Sequence, residues 1–148
     1  MRAVLQRVSR AKVLSEGRTL GEIGRGLVML LGVGCDDTEA DAEFICDRTL
    51  GMRIFADDAG KMNLALGQVK GELLVVSQFT LHADTSAGRR PSFLGAAPPE
   101  LARPLYEHLV SLARSLGVKV ETGEFGAMMD VDLVNQGPVT IILDSRNR

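Results

Sequence analysis

With 148 residues and 17 Lys and Arg against 19 Asp and Glu, the chain carries a formal charge of −2. That length fits one domain, read as residues 1–148, and lets the chain bury about 68–70% of its unfolded surface without a disulfide or metal staple. An apolar content of 45% beside 24% charged residues argues against disorder. The near-neutral balance excludes a broadly basic nucleic-acid coat but leaves room for a small RNA pocket.

Residues 2–8 alternate as a strand, and residues 12–14 and 19–23 form a hairpin around Ser15-Glu16-Gly17-Arg18. Residues 26–33 are apolar on both parities, as expected of a strand covered on both faces. A helix starts at Asp36-Asp37-Thr38-Glu39, where Thr38 and Asp41 approximate a capping box. Ala42, Ile45, Cys46 and Thr49 supply its buried stripe. The six acids between Asp36 and Asp47 supply a solvated face favoured by the helix dipole, not a metal site. Residues 52–55 resume strand character, Asp57-Asp58-Ala59-Gly60 is a turn, and residues 72–80 form the most strand-like segment of the chain.

A loop rich in Gly, Arg and Pro follows over residues 83–99. The second helix spans residues 99–116, with Leu101, Leu105, Leu109, Leu112 and Leu116 as its stripe and Gly117 as its stop. Pro104 predicts either a kink or a regular part that begins near Arg103. Residues 118–121 and 139–143 are the closing strands. Strands outnumber helices and do not interleave regularly with them, so the fold class is α+β.

Cys35 and Cys46 form no CxxC pair, and with only His82 and His108 to join them they make no zinc framework. Cys46 reads as a buried, inert thiol. Residues 1–7 break their apolar run too early for a secretory signal, and no stretch approaches the ~20 apolar residues of a membrane span. A cytoplasmic protein with no membrane, metal or cofactor is expected. P-loop, GxGxxG, GxSxG and HExxH motifs are all missing, and the glycines of Gly21-Glu22-Ile23-Gly24-Arg25-Gly26 space two strands.

Two segments carry chemistry better than packing does. Ser77-Gln78-Phe79-Thr80 closes a buried strand, where polar groups and free N–H donors become available to a ligand. Strict alternation sets Ser77 and Phe79 on one face and Gln78, Thr80, His82 and Asp84 on the other. A Ser/Thr nucleophile with His82 as base and Asp84 as orienter is conceivable, but proximity in sequence is no evidence for triad geometry. Asn135-Gln136-Gly137-Pro138-Val139-Thr140 reads as a turn leading into a strand, with a trans peptide as the default and a cis one as a rigid alternative. A weaker feature, Glu124-Phe125-Gly126-Ala127-Met128-Met129-Asp130, suits either core packing or an apolar slot for a flat ring.

Ser77-Gln78-Phe79-Thr80 together with Asn135-Gln136-Gly137-Pro138-Val139-Thr140 resembles the paired signature of the D-aminoacyl-tRNA deacylases. Residues 1–11, Gly60-Lys61-Met62-Asn63, Gly88-Arg89-Arg90-Pro91-Ser92-Phe93 and Phe125-Gly126-Ala127 are similar as well, and the likeness runs end to end. It implies a homodimer built on a mixed, mainly antiparallel sheet or open barrel with two main helices. The implied activity is hydrolysis of the ester joining a D-amino acid, or glycine, to the 3′-terminal adenosine of tRNA. Gly137 and Pro138 would then be a cis element entering the partner's pocket and rejecting L side chains, with Arg7 holding the loop. Ser77, Gln78, Phe79 and Thr80 would line the ester pocket, and Phe125, Gly126, Ala127 and Met129 would receive the adenine. Position 82 is commonly Tyr in similar sequences, which sets His82 outside the catalytic group; Met128 and Pro104 also depart from the pattern.

An aminoacyl ester is already activated, so two mechanisms stay open. In one, the ribose 2′-hydroxyl positions water while N–H groups near Phe79 and Thr80 hold the oxyanion. In the other, Thr80 Oγ forms an acyl-enzyme. The competing function is a non-catalytic module that binds tRNA ends as a dimer. Arg2, Arg7, Arg10, Lys12 and Arg18, with Arg89 and Arg90, form the expected local RNA patch, away from the acids of residues 36–47.

Overall fold

Fourteen consecutive residues, Arg2–Ser15, form one strand, β1, in a computed structural model that describes residues 1–148. The chain reverses at Glu16-Gly17, both with positive φ (51° and 76°), into β2 (Arg18–Ile23). There follow β3 (Gly26–Gly32), α1 (Glu39–Gly51), the short pair β4 (Phe55–Ala56) and β5 (Met62–Leu64), and β6 (Glu72–Ser77). The chain closes with α2 (Pro99–Ser115), β7 (Val120–Thr122) and β8 (Asp130–Asp144). The expected break in β1 after residue 8 does not occur. β1 is the central strand, paired antiparallel with β3 over residues 2–8, with β2 over residues 11–15, and with β8 along nearly its whole length.

β3 and β6, and β6 and β7, pair in parallel, so the sheet is mixed. Its ends curl together, with Gly21 of β2 against the Thr122 carbonyl of β7, and the result is a nearly closed barrel. The double-parity apolar run of β3 now has its reason. Leu27, Met29 and Leu31 face a core shared with both helices, while Val28 faces the barrel interior with Val8, Val13, Ile23, Leu74 and Val76.

α1 follows its sequence closely: the Thr38 N–H donates to the Asp41 carboxylate (2.9 Å), and Ala42, Ile45, Cys46 and Thr49 are buried. Burial, then the neighbouring Asp47, pushes the Cys46 thiol up to about 11. α2 departs from its leucine stripe. Leu101 and Leu116 are exposed, and the buried face is Ala102, Tyr106, Leu109, Val110 and Ala113. That face is turned nearly a quarter of a revolution from the leucines, because the two alanines let the helix approach the core closely. Pro104 lies within the helix without ending it, and Gly117 (φ 84°) closes it, with Val118 N–H reaching the Ala113 carbonyl at 3.3 Å. Residues 52–54 are not strand; only Phe55–Ala56 pairs with β5. Neither helix is long and apolar enough to cross a membrane.

Candidate active site

β6 stops at Ser77. Gln78 still donates to the Leu31 carbonyl (2.8 Å), but its backbone (φ −144°, ψ 76°) turns the chain, and Phe79–His82 forms a 3-10 turn. The expected continuation to residue 80 fails because the turn folds onto Gly32. A Cβ there would stand 2.8 Å from the Gln78 carbonyl oxygen and 3.0 Å from Leu81 Cβ. Phe79 and Thr80 open the turn, so the turn supplies no acceptor to their N–H groups.

The alternation of Gln78, Thr80, His82 and Asp84 on one face is therefore lost. Thr80 Oγ1 accepts a hydrogen bond from Gln78 Nε2, not from a histidine. The His82 ring packs against Gly32 and Gly34, with its Nε2 buried and unpartnered. Burial lowers its pKa; the Gly32 backbone and Asp37 oppose the shift, and Arg2 and the Met1 α-ammonium reinforce it. Asp84 instead pairs with Ser92 across the base of the following loop. No Ser/Thr–His–Asp triad is assembled. Nor does any group of three or more His, Cys, Asp or Glu side chains converge as a metal site would require.

The end of β6 opens into a cleft of about 690 Å³, lined by 18 residues, 14 of them hydrophobic and none charged. Ser77, Gln78 and Phe79 meet Phe125, Gly126, Ala127, Met128 and Met129 across it. Thr80 is exposed beside this wall and is not one of the lining residues. Phe79 stacks edge-on against Phe93 (5.1 Å), and Phe125 against Tyr106 (5.7 Å). Tyr106 donates its hydroxyl to the Val75 carbonyl (2.9 Å), and burial pushes the phenol up to about 12. The Arg103 guanidinium lies 5.0 Å over the Phe125 ring.

Tyr106, Arg103 and Gly32 were not singled out as site residues in the sequence, and Phe93 stood only within the Gly88–Phe93 likeness, without a role. Tyr106 is the single tyrosine of the chain, yet the leucine periodicity drew attention to the wrong face of its helix.

The second signature is not a turn leading into a strand but a bulge inside β8. Gln6 pairs with Thr140 and Val8 with Asn135, so residues 136–139 stand opposite Arg7 alone. The Gly137–Pro138 bond is cis. Arg7 donates from Nε to the Gln136 carbonyl (3.1 Å) and from Nη1 to the Ile54 carbonyl (2.5 Å). Asn135 accepts from the Val139 N–H and donates to Thr140 Oγ1, each at 3.0 Å. Gly137 has φ 130°, and a Cβ on it would meet Val139 Cγ2 at 2.8 Å and Arg7 Nη2 at 2.9 Å. Gly137 and Pro138 are exposed and do not line the cleft of their own chain.

The expected N-terminal RNA patch is partly offset by carboxylates, with Arg10 and Lys12 sharing Asp132. Arg2 pairs with Asp144 (3.1 Å), Arg10 and Lys12 with Asp132 (3.3 and 3.8 Å), and Arg18 with Glu124 (4.0 Å).

Residues 4–144 match the family model described as D-Tyr-tRNA(Tyr) deacylase. The chain is 59% identical to a D-aminoacyl-tRNA deacylase of Desulfatibacillum aliphaticivorans, over 99% of this chain and 100% of that one. It is also 59% identical to one of Roseiflexus castenholzii, over 98% and 92%. Among solved structures it is similar to a c-Myc DNA unwinding element binding protein, with a TM-score of 0.92, 38% identity and coverage of 97% and 98%.

Proposed function

The chain belongs to the D-aminoacyl-tRNA deacylase family, and we propose that it hydrolyses the ester joining a D-amino acid, or glycine, to the 3′-terminal adenosine of tRNA. The carrying observation is the division of the two signatures. Residues 77–79 and 125–129 share one cleft, while the Gly137–Pro138 bulge is tethered outside it. A loop held out of its own cleft acts on a second copy. The working unit is then a homodimer in which each bulge enters the partner's cleft. Exposed Val134 and Ile142, on the outer face of β8, supply apolar area for that contact.

Bound there, the ester carbonyl lies against the start of the Phe79–His82 turn. The N–H groups of Phe79 and Thr80 take the oxyanion, where one such donor is worth ~2.7–4 kcal/mol. Phe125 and its neighbours receive the adenine. No base is near enough to activate a protein nucleophile, so the substrate's own 2′-hydroxyl positions the water. The bulge backbone crowds the α-carbon on the side an L side chain would occupy. Glycine has no side chain to refuse and passes.

The test is hydrolysis of D-tyrosyl, L-tyrosyl and glycyl esters on tRNA, each with a ribose or a 2′-deoxyribose terminal adenosine. Rapid cleavage of the D and glycyl ribose esters is expected, with little of the L ester and little of any deoxy ester. Rapid L cleavage overturns the filter, and full activity on deoxy esters overturns substrate assistance. The nucleic-acid-binding name of the 38% identical structure favours a second reading, a dimer that binds tRNA ends without hydrolysis. Binding with no release of amino acid in the same assay would establish it.

A further inference from the structure

We infer that the cleft carries a basic rim, with Arg89 and Arg90 on the loop before α2 and Arg103 on α2. The rim takes the phosphodiesters of the single-stranded RNA that precedes the terminal adenosine, an assignment that rests on the deacylase reading. An aminoacyl adenosine is free of phosphate, and the cleft that fits it has no charged lining residue. The first phosphate therefore meets the protein at the mouth.

The cations of residues 1–20 are less available, since Arg2, Arg10, Lys12 and Arg18 lie beside carboxylates and Arg7 holds the β8 bulge. Arg89 and Arg90 are exposed and form no ion pair. Their loop is pinned at its base by reciprocal Asp84–Ser92 backbone bonds, both 2.8 Å. The next residue, Phe93, is a cleft wall stacked on Phe79. Arg90 lies three residues from that wall, at most about 10 Å of chain.

On the other side, Arg103 has no carboxylate partner, rests on Phe125, and follows Ala102, a lining residue. Stacked on a ring, a guanidinium keeps its in-plane N–H donors for a phosphate.

The experiment follows kcat/KM against salt for D-tyrosyl-tRNA and for D-tyrosyl-adenosine, which has no phosphodiester. With about 0.7 of log–log slope per single-strand phosphate, R89A/R90A lowers the slope by about 1.4 and R103Q by about 0.7. Between 50 and 200 mM salt, wild-type protein then loses about sevenfold more kcat/KM than R89A/R90A. The double variant cleaves D-tyrosyl-adenosine at the wild-type rate. Unchanged slopes, or an equal loss on D-tyrosyl-adenosine, overturn the rim. If wild-type protein cleaves neither ester, the deacylase reading has failed, and the salt slope of Kd for uncharged tRNA still decides the rim. The same loss of slope in R89A/R90A upholds it, and an unchanged slope overturns it.

Discussion

The turn at residues 77–82 and the bulge at residues 135–140 are secured by different means. The turn hangs on main chain and packing: Gln78 extends the β3–β6 ladder to Leu31, and Leu81 and His82 close over Gly32. The bulge has lost its ladder for four residues against one, and side chains replace it. One guanidinium, Arg7, ties two carbonyls together from different parts of the fold, and Asn135 bridges the bulge from within. A turn built into a core is insensitive to most side-chain changes and sensitive to added bulk. A bulge held by one arginine is sensitive to that arginine.

The largest effects come from attacking each segment where it is weak. Arg7→Ala removes two charge-assisted hydrogen bonds, each worth about 1.5–3 kcal/mol. Loss of bulge placement by even one of them is tenfold or more in kcat/KM. Gly32→Ala forces a Cβ into the Gln78 carbonyl and displaces the turn. If the segments act on different copies, coexpressing the two variants restores function. Half the dimers are mixed, each with one intact site, so about a quarter of wild-type activity returns. Activity no greater than the average of the two single variants would show that each chain uses its own bulge.

Those two segments also differ in how far they could be read from sequence. The alternation that identified β6 could not tell where the ladder ends, because Gln78 keeps its hydrogen bond while its ψ already turns. What stops the strand is Gly32, forty-five residues earlier in the chain and invisible to local pattern. At the bulge, Gly-Pro suggests a turn, and only the pairing of Gln6 and Val8 with residues on either side reveals one strand. Helix α1 was legible in full, since its cap and stripe are local. Helix α2 was not, because Leu101 and Leu116 satisfy the period while Ala102, Ala113 and Tyr106 satisfy the packing. Arg2, Arg10, Lys12 and Arg18 counted as free charge in the sequence, and the carboxylates that pair with Arg2, Arg10 and Lys12 arrive only with β8.

A smaller effect sharpens the comparison on the turn side. Thr80 is exposed, its hydroxyl partnered only by Gln78, and under the proposed mechanism this position contributes its N–H. Thr80→Ala keeps the N–H and loses one neutral hydrogen bond, worth about 0.5–1.5 kcal/mol. Single-turnover rates on D-tyrosyl-tRNA should fall by about tenfold or less. Abolished turnover with unchanged tRNA binding would make Thr80 Oγ1 the nucleophile.

The smallest effect appears only on acidification. His82 ends the turn, and burial holds its folded pKa below the ordinary 6.5, against the Gly32 backbone and Asp37 and with help from Arg2 and the Met1 α-ammonium. The unfolded chain therefore takes up a proton near 6.5 that the folded chain refuses. Stability is full above that pH and falls as pH drops below it towards the folded pKa. His82→Leu keeps an apolar side chain against Gly32 and removes the titration. Urea midpoints between pH 7.5 and 5.5 should fall more for wild-type protein than for the variant. Because a charged imidazole against Gly32 would loosen the turn that carries Phe79 and Thr80, cleavage of D-tyrosyl-adenosine should decline over the same pH window in wild-type protein and less in His82→Leu. Parallel midpoints in the two proteins would mean that the turn is held without reference to the charge on His82, by the Gly32 approach and the Gln78 hydrogen bond alone.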